Sequence, residues 1–181
     1  MGKGTTILGA LVLVGAGLAA PTQAVEGDAP QERVWLAAHN AERDEFGVAP
    51  LRWNARLASE ARDYARQLAR TERLRHSTYE KRNGTGENLW MGTAGRFTPA
   101  DMIDAFASEK RYFRAGQFPR VSSTGNWADV GHYTQIVWEE TREVGCATAR
   151  GARFDVLVCR YWPAGNVMGQ RIAPGRRLAR R

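Results

Sequence analysis

The sequence has few long apolar runs. One spans Ile7 to Leu18, about a dozen residues against the ~20 that a membrane-spanning helix needs, and no second follows it. With Lys3 ahead of it and small residues leading to Thr22-Gln23-Ala24, this run reads as a signal peptide over residues 1–24, cleaved after Ala24. A retained signal anchor is the competing reading. No cysteine lies near Ala24, so lipid attachment to a processed N-terminal cysteine has no support. The expected product is soluble and secreted, to the periplasm or the extracellular space. No basic run interleaves with aromatics, so the net charge of +7 does not indicate nucleic acid. It favours an anionic envelope or membrane surface, through an attraction that salt weakens. Internal repeats are absent. The 181 residues suffice for one core and fall short of two ordinary domains. One domain over residues 25–170 is expected, with residues 171–181 a solvated basic tail carrying Arg176, Arg177, Arg180 and Arg181.

Helical spacing dominates the first half. Val34, Ala38 and Ala41 recur within a segment from Gln31 to Phe46 that Gly47 stops. In the second segment Asn54 is placed to cap a helix whose stripe is Leu57, Ala61, Tyr64, Ala65 and Leu68. KRNGTGENLWMGTAG is glycine-rich and reads as loop with a short extended piece. Thr98-Pro99 then opens a third helix, with Ile103, Phe106, Lys110 and Phe113 on one face. Three strands are expected from HYTQIVW, VGCATAR and DVLVCRYW, which are short and rich in β-branched and aromatic residues. Their apolar residues fall on both faces, as in a sheet covered on both sides. Helices first and strands later give an α+β chain.

Cysteine is as scarce as apolar runs: Cys146 and Cys159 are the only two. Export would place them in an oxidising compartment, where a bridge between two strands is the default and two buried thiols the alternative. Closing a loop of this size is worth roughly 3 kcal/mol in the chain-entropy model. Histidine numbers three. His76 and His132 lie outside the expected helices, where imidazole can bind metal or move protons. His39 sits on the first helix and reads as a hydrogen-bonded core residue, as Trp138 and Tyr161 read as core. Glu87, between Gly86 and Asn88, and Glu109, beside the stripe of the third helix, are the candidate carboxylates. Spacing alone does not bring these four residues together.

Two longer patterns add a resemblance. Gly131-His132-Tyr133-Thr134-Gln135-Ile136-Val137-Trp138 resembles the first signature of the CAP superfamily, which includes cysteine-rich secretory proteins, venom allergens and plant pathogenesis-related proteins. The segment from Val156 through Cys159-Arg160-Tyr161-Trp162-Pro163 to Val167 is similar to its C-terminal signature. Further similarity covers His39-Asn40-Ala41-Glu42-Arg43, Leu51-Arg52-Trp53-Asn54 and Gly86-Glu87-Asn88-Leu89, nearly all of the mature chain. The resemblance, to a bacterial-type single-domain member, implies a three-layer α-β-α sandwich with a central antiparallel sheet. It also implies a cleft where His76, Glu87, Glu109 and His132 converge, the two imidazoles being the ligands where metal is bound. Before Glu109 the family usually has Trp and Tyr, where this chain has Phe106 and Ala107, so a different cleft wall is expected.

Two histidines can hold Zn²⁺ or another divalent cation through ring nitrogens at about 2.0–2.1 Å. Without metal the same four residues form a hydrogen-bonded network. The resemblance implies an extracellular binding module for lipid, sterol or partner proteins, the basic charge adds envelope ligands, and a monomer is expected. The alternative is a metal-assisted hydrolase with Glu87 or Glu109 as general base. A serine nucleophile is less favoured, because Ser77 and Ser108 lie in no G-x-S-x-G elbow.

Overall fold

A computed structural model describes residue 1 and residues 29–175. The expected signal peptide and the terminal arginine cluster lie outside the described residues. Among these, no helix is long and apolar enough to cross a membrane. The elements run α1 (Ala29–Phe46), β1 (Arg52–Trp53), α2 (Ala55–Thr71), α3 (Tyr79–Arg82), β2 (Gly86–Thr93) and α4 (Pro99–Ala107). There follow β3 (Gly116–Gln117), α5 (Gly131–Ile136), β4 (Glu143–Arg150), β5 (Phe154–Trp162) and β6 (Arg171–Ile172).

The α+β sandwich expected from the sequence is present. Strand order is β1-β4-β5-β2, with β2, β5 and β4 antiparallel. The sheet is nevertheless mixed, since the two-residue β1 pairs parallel to β4. Side chains alternate across it as the pleat requires. Val156 and Val158 face α2, whereas Leu157, Cys159 and Tyr161 join Trp35, Ile103, Phe106 and Ile136 in the larger core. Cys146 and Cys159 stand opposite each other in the β4–β5 register and form the disulfide.

The helix α2 follows its sequence closely. The Asn54 carboxamide oxygen accepts from the Arg56 and Leu57 amides at 2.9 and 3.2 Å, and all five stripe residues are buried. A side chain at Gly145 would place its Cβ 2.2 Å from the Ala58 nitrogen, so glycine there lets the helix backbone lie directly on β4. α4 opens with the capping box formed by Thr98 and Asp101, and Ile103 and Phe106 are buried. It tightens to a 3₁₀ turn over Ser108–Tyr112, leaving Lys110 exposed and paired with Glu42 and Glu45 of α1.

Three expectations need correction. HYTQIVW is the short helix α5 and its exit, not a strand; every residue from Tyr133 to Trp138 is buried, so the run carries no periodicity to separate helix from strand. The glycine-rich stretch holds the eight-residue strand β2. On α1 the buried face is Trp35, His39, Arg43 and Phe46, whereas Val34 and Ala41 are exposed. Polar residues hold that face because each is satisfied. Arg43 donates from Nε to the Ala49 carbonyl (2.6 Å), from Nη1 to Ile136 and Trp138 (2.7 and 2.8 Å), and from Nη2 to Thr141 (3.1 Å). Burial lowers its pKa to about 10, still charged at neutral pH. At the start of the expected tail, β6 pairs with β3 and buries Ile172.

His39 is the core histidine expected. Its Nδ1 donates to the Trp35 carbonyl at 2.8 Å, so Nε2 accepts from the Tyr161 hydroxyl at 2.8 Å. Burial lowers its pKa from 6.5 to about 4; the bond to Trp35 opposes that change and the Arg43 charge adds to it. Between those two values the unfolded chain takes up a proton that the folded chain refuses. Stability is therefore fully present above about pH 6.5 and falls as pH drops towards 4, by on the order of 3 kcal/mol. Urea midpoints measured from pH 7 to 4 should show a smaller acid loss in His39→Gln than in the parent. Identical slopes would reject this origin.

Candidate functional site

The four candidate residues resolve into two His–Glu pairs beside one cleft of about 630 Å³, which both imidazoles line. His76 follows α2 in a segment held by the Tyr64 hydroxyl, which donates to the Arg75 carbonyl at 2.7 Å. Its Nδ1 donates to Glu87 Oε1 at 2.7 Å. Glu87 reaches this point from β2, whose register sets it opposite Arg160 on β5. The same carboxylate accepts from the Ser77 amide (3.0 Å) and hydroxyl (2.9 Å), and Arg160 Nη1 lies 3.1 Å from its other oxygen. Burial alone would push the Glu87 carboxyl up, but the His76 bond, the Arg160 charge and the Ser77 donors hold it below the usual range.

The second pair is assembled from α5 and the 3₁₀ turn after α4. His132 Nδ1 donates to Glu109 Oε1 at 2.6 Å. Glu109 Oε2 accepts from the His132 and Tyr133 amides at 2.9 and 3.1 Å. One carboxylate thus caps the first turn of α5 and fixes the imidazole that the turn carries. Phe106, buried in the core at the end of α4, stacks on the His132 ring with centroids 4.7 Å apart, and it does not line the cleft.

Each carboxylate can only accept, so each neutral imidazole carries its proton on Nδ1 and leaves Nε2 as a bare lone pair. Glu109 is absent from the cleft lining, whereas Glu87 contributes to it with a side chain that is 0% exposed. No three of the four residues bring ligand atoms within 4.8 Å of one another. His39, Cys146 and Cys159 do cluster that tightly among the described residues, but the two sulfurs are bonded to each other and are not available as ligands.

Residues outside the four complete the site. Asn88 Nδ2 donates to the His132 carbonyl and to the Tyr161 hydroxyl, both at 3.1 Å, linking the cleft to His39. Gln135 crosses between β2 and the segment after β5, accepting from the Gly165 amide at 2.9 Å and donating to Thr141 Oγ1 at 3.2 Å. Arg160 had one visible signal, a charge inside the apolar run DVLVCRYW at a position facing α2, where burial demands a partner. Ser77 was visible only as a disfavoured nucleophile, and Asn88 only as part of the family-like segment Gly86-Glu87-Asn88-Leu89.

The chain matches the cysteine-rich secretory protein family, CAP, over residues 36–161. It belongs to that family. This CAP domain is 38% identical to pathogenesis-related protein 1C of Nicotiana tabacum, over 75% of this chain and 77% of that protein. It is 35% identical to pathogenesis-related protein 1 of Arabidopsis thaliana, over 89% of this chain and 91% of that protein. Among solved structures, NaASP2 with Zn²⁺ superposes with a TM-score of 0.69 at 24% identity, covering 86% of this chain and 90% of that one. BmVAL-1 gives 0.68 at 21% identity, covering 86% of each chain. These two likenesses are of fold.

A Cβ on Gly86 would lie 2.0 Å from Gln135 Oε1, and the buried carboxamide has little room to yield. Gly86→Ala should therefore cost about 1–3 kcal/mol, and the cost should shrink in a Gln135→Ala background. A double-mutant cycle on thermal midpoints reads this coupling, and strict additivity would reject it.

Proposed function

We propose that this CAP domain is a secreted binding module, extracellular or periplasmic, whose cleft holds a divalent cation such as Zn²⁺ on Nε2 of His76 and His132. The observation that carries the reading is the pair of imidazoles beside one cleft, each with Nδ1 committed to a carboxylate. Such carboxylate–imidazole pairs orient metal-ligating rings and raise their basicity. The donor set therefore fits a cation that accepts imidazole nitrogen. A bound Zn²⁺ would leave positions open to water or to an oxygen of a ligand. Glu87 and Glu109 hold the rings, and their own oxygens are engaged elsewhere.

That engagement argues against the hydrolase alternative, which needs one of these carboxylates within reach of a substrate proton. Ser77 is likewise spent on Glu87 and Arg160. The ligand classes that come with the family resemblance are lipids and sterols, and the charge of +7 on the full chain, much of it in the C-terminal tail, would draw the protein towards anionic envelope or membrane surfaces.

Titration calorimetry with Zn²⁺ should show one site on the parent, at least tenfold weaker in His76→Ala and in His132→Ala and lost in the double variant. Glu109→Gln should weaken it by roughly 10–100-fold. No heat from the parent, or an unchanged isotherm in the double variant, would overturn the metal reading.

A further inference from the structure

The cleft does not end at the imidazoles. Thr85 lines it and also lines a second pocket of about 220 Å³, bounded by Trp162, Asn83, Glu60 and Glu143. The two openings adjoin at Thr85, and Gly84 beside it lines the first and lies against the Trp162 ring of the second. Aromatic side chains stand exposed in both: Tyr79 and Trp127 in the cleft, Trp162 in the second pocket, at 73%, 41% and 46% exposure.

Both indoles are seated rather than loose. A Cβ on Gly84 would meet the Trp162 ring at 3.2 Å, and one on Gly131 would meet the Trp127 ring at 3.1 Å. Trp127 also packs edge-on against Phe118 at 5.4 Å. Large apolar rings held in fixed positions and left exposed cost hydration in the free protein, and they lose little rotamer freedom when a ligand covers them.

We propose that the two openings act as one groove that binds a β-linked oligosaccharide, with pyranose faces lying on Trp127 and Trp162. The C–H face of a pyranose is apolar and weakly positive, and so suits the negative face of an indole. Its hydroxyls both donate and accept, matching a lining that has the Arg56–Glu60 pair and Asn83 at the Trp162 end and Arg82 and Asn166 in the cleft. An acyl chain or sterol laid along the same path would strip water from the Arg56–Glu60 ion pair and from Glu143, and offers them no hydrogen bond in return. The proposal rests on the cleft being a ligand site and is independent of the metal.

Intrinsic tryptophan fluorescence and calorimetry with chitotetraose and with cellotetraose, each in EDTA and again with Zn²⁺, test it. Saturable binding of at least one sugar is expected, with the EDTA and Zn²⁺ values within threefold. The sugar preferred separates N-acetylated from plain glucan chains. Trp162→Ala should weaken binding tenfold or more while the thermal midpoint stays within a few degrees, and Trp127→Ala should act in the same direction. Binding of neither sugar would overturn the proposal, as would a Trp162→Ala affinity within twofold of the parent. Absence of Zn²⁺ binding in the parent with sugar binding intact would reject only the metal reading.

Discussion

A single file of hydrogen bonds joins the core to the cleft, and its direction is fixed at both ends. The Trp35 carbonyl can only accept, so His39 must donate from Nδ1 and accept at Nε2. The Tyr161 hydroxyl therefore points its proton at His39 and offers its oxygen to Asn88, whose carboxamide also holds the His132 carbonyl. Four elements, α1, β5, β2 and α5, are locked by four bonds that admit one arrangement of protons. Burial reinforces the order, keeping His39 neutral and driving the Tyr161 phenol above its ordinary range. The cleft rests on that frame.

The two pairs lining the cleft are held differently. Glu87 is fully buried and shares a hydrogen-bonded cluster with Ser77 and Arg160, so its charge is balanced inside the protein. Glu109 is partly exposed and balanced by the peptide dipoles of a helix end. Both reach the same outcome, an imidazole with one committed nitrogen and one free.

Much of this was legible in the sequence where local rules and tertiary demands agree. α2 has an asparagine cap and an unbroken apolar stripe, and α4 has a capping box with a first-turn proline; both lie where these signals put them. The cysteines meet across the β4–β5 hairpin as the strand reading required. Errors arose where burial erased periodicity, as in α5, or where charge occupied a core position, as with Arg43. A guanidinium that satisfies four carbonyls looks, in sequence, like any surface arginine. The identity of the four cleft residues came from resemblance to the family, because their elements are distant along the chain. The hidden tie is the backbone: Glu109 is drawn to His132 by two amides of a helix that composition disguises as a strand.

That double duty of Glu109 makes the cleft and the first turn of α5 one mechanical unit. Any ligand that pulls the His132 ring pulls on the carboxylate shielding the His132 and Tyr133 amides. Solvent exchange at those two amide protons becomes a built-in gauge of cleft occupancy, legible at the backbone without any label on the ligand.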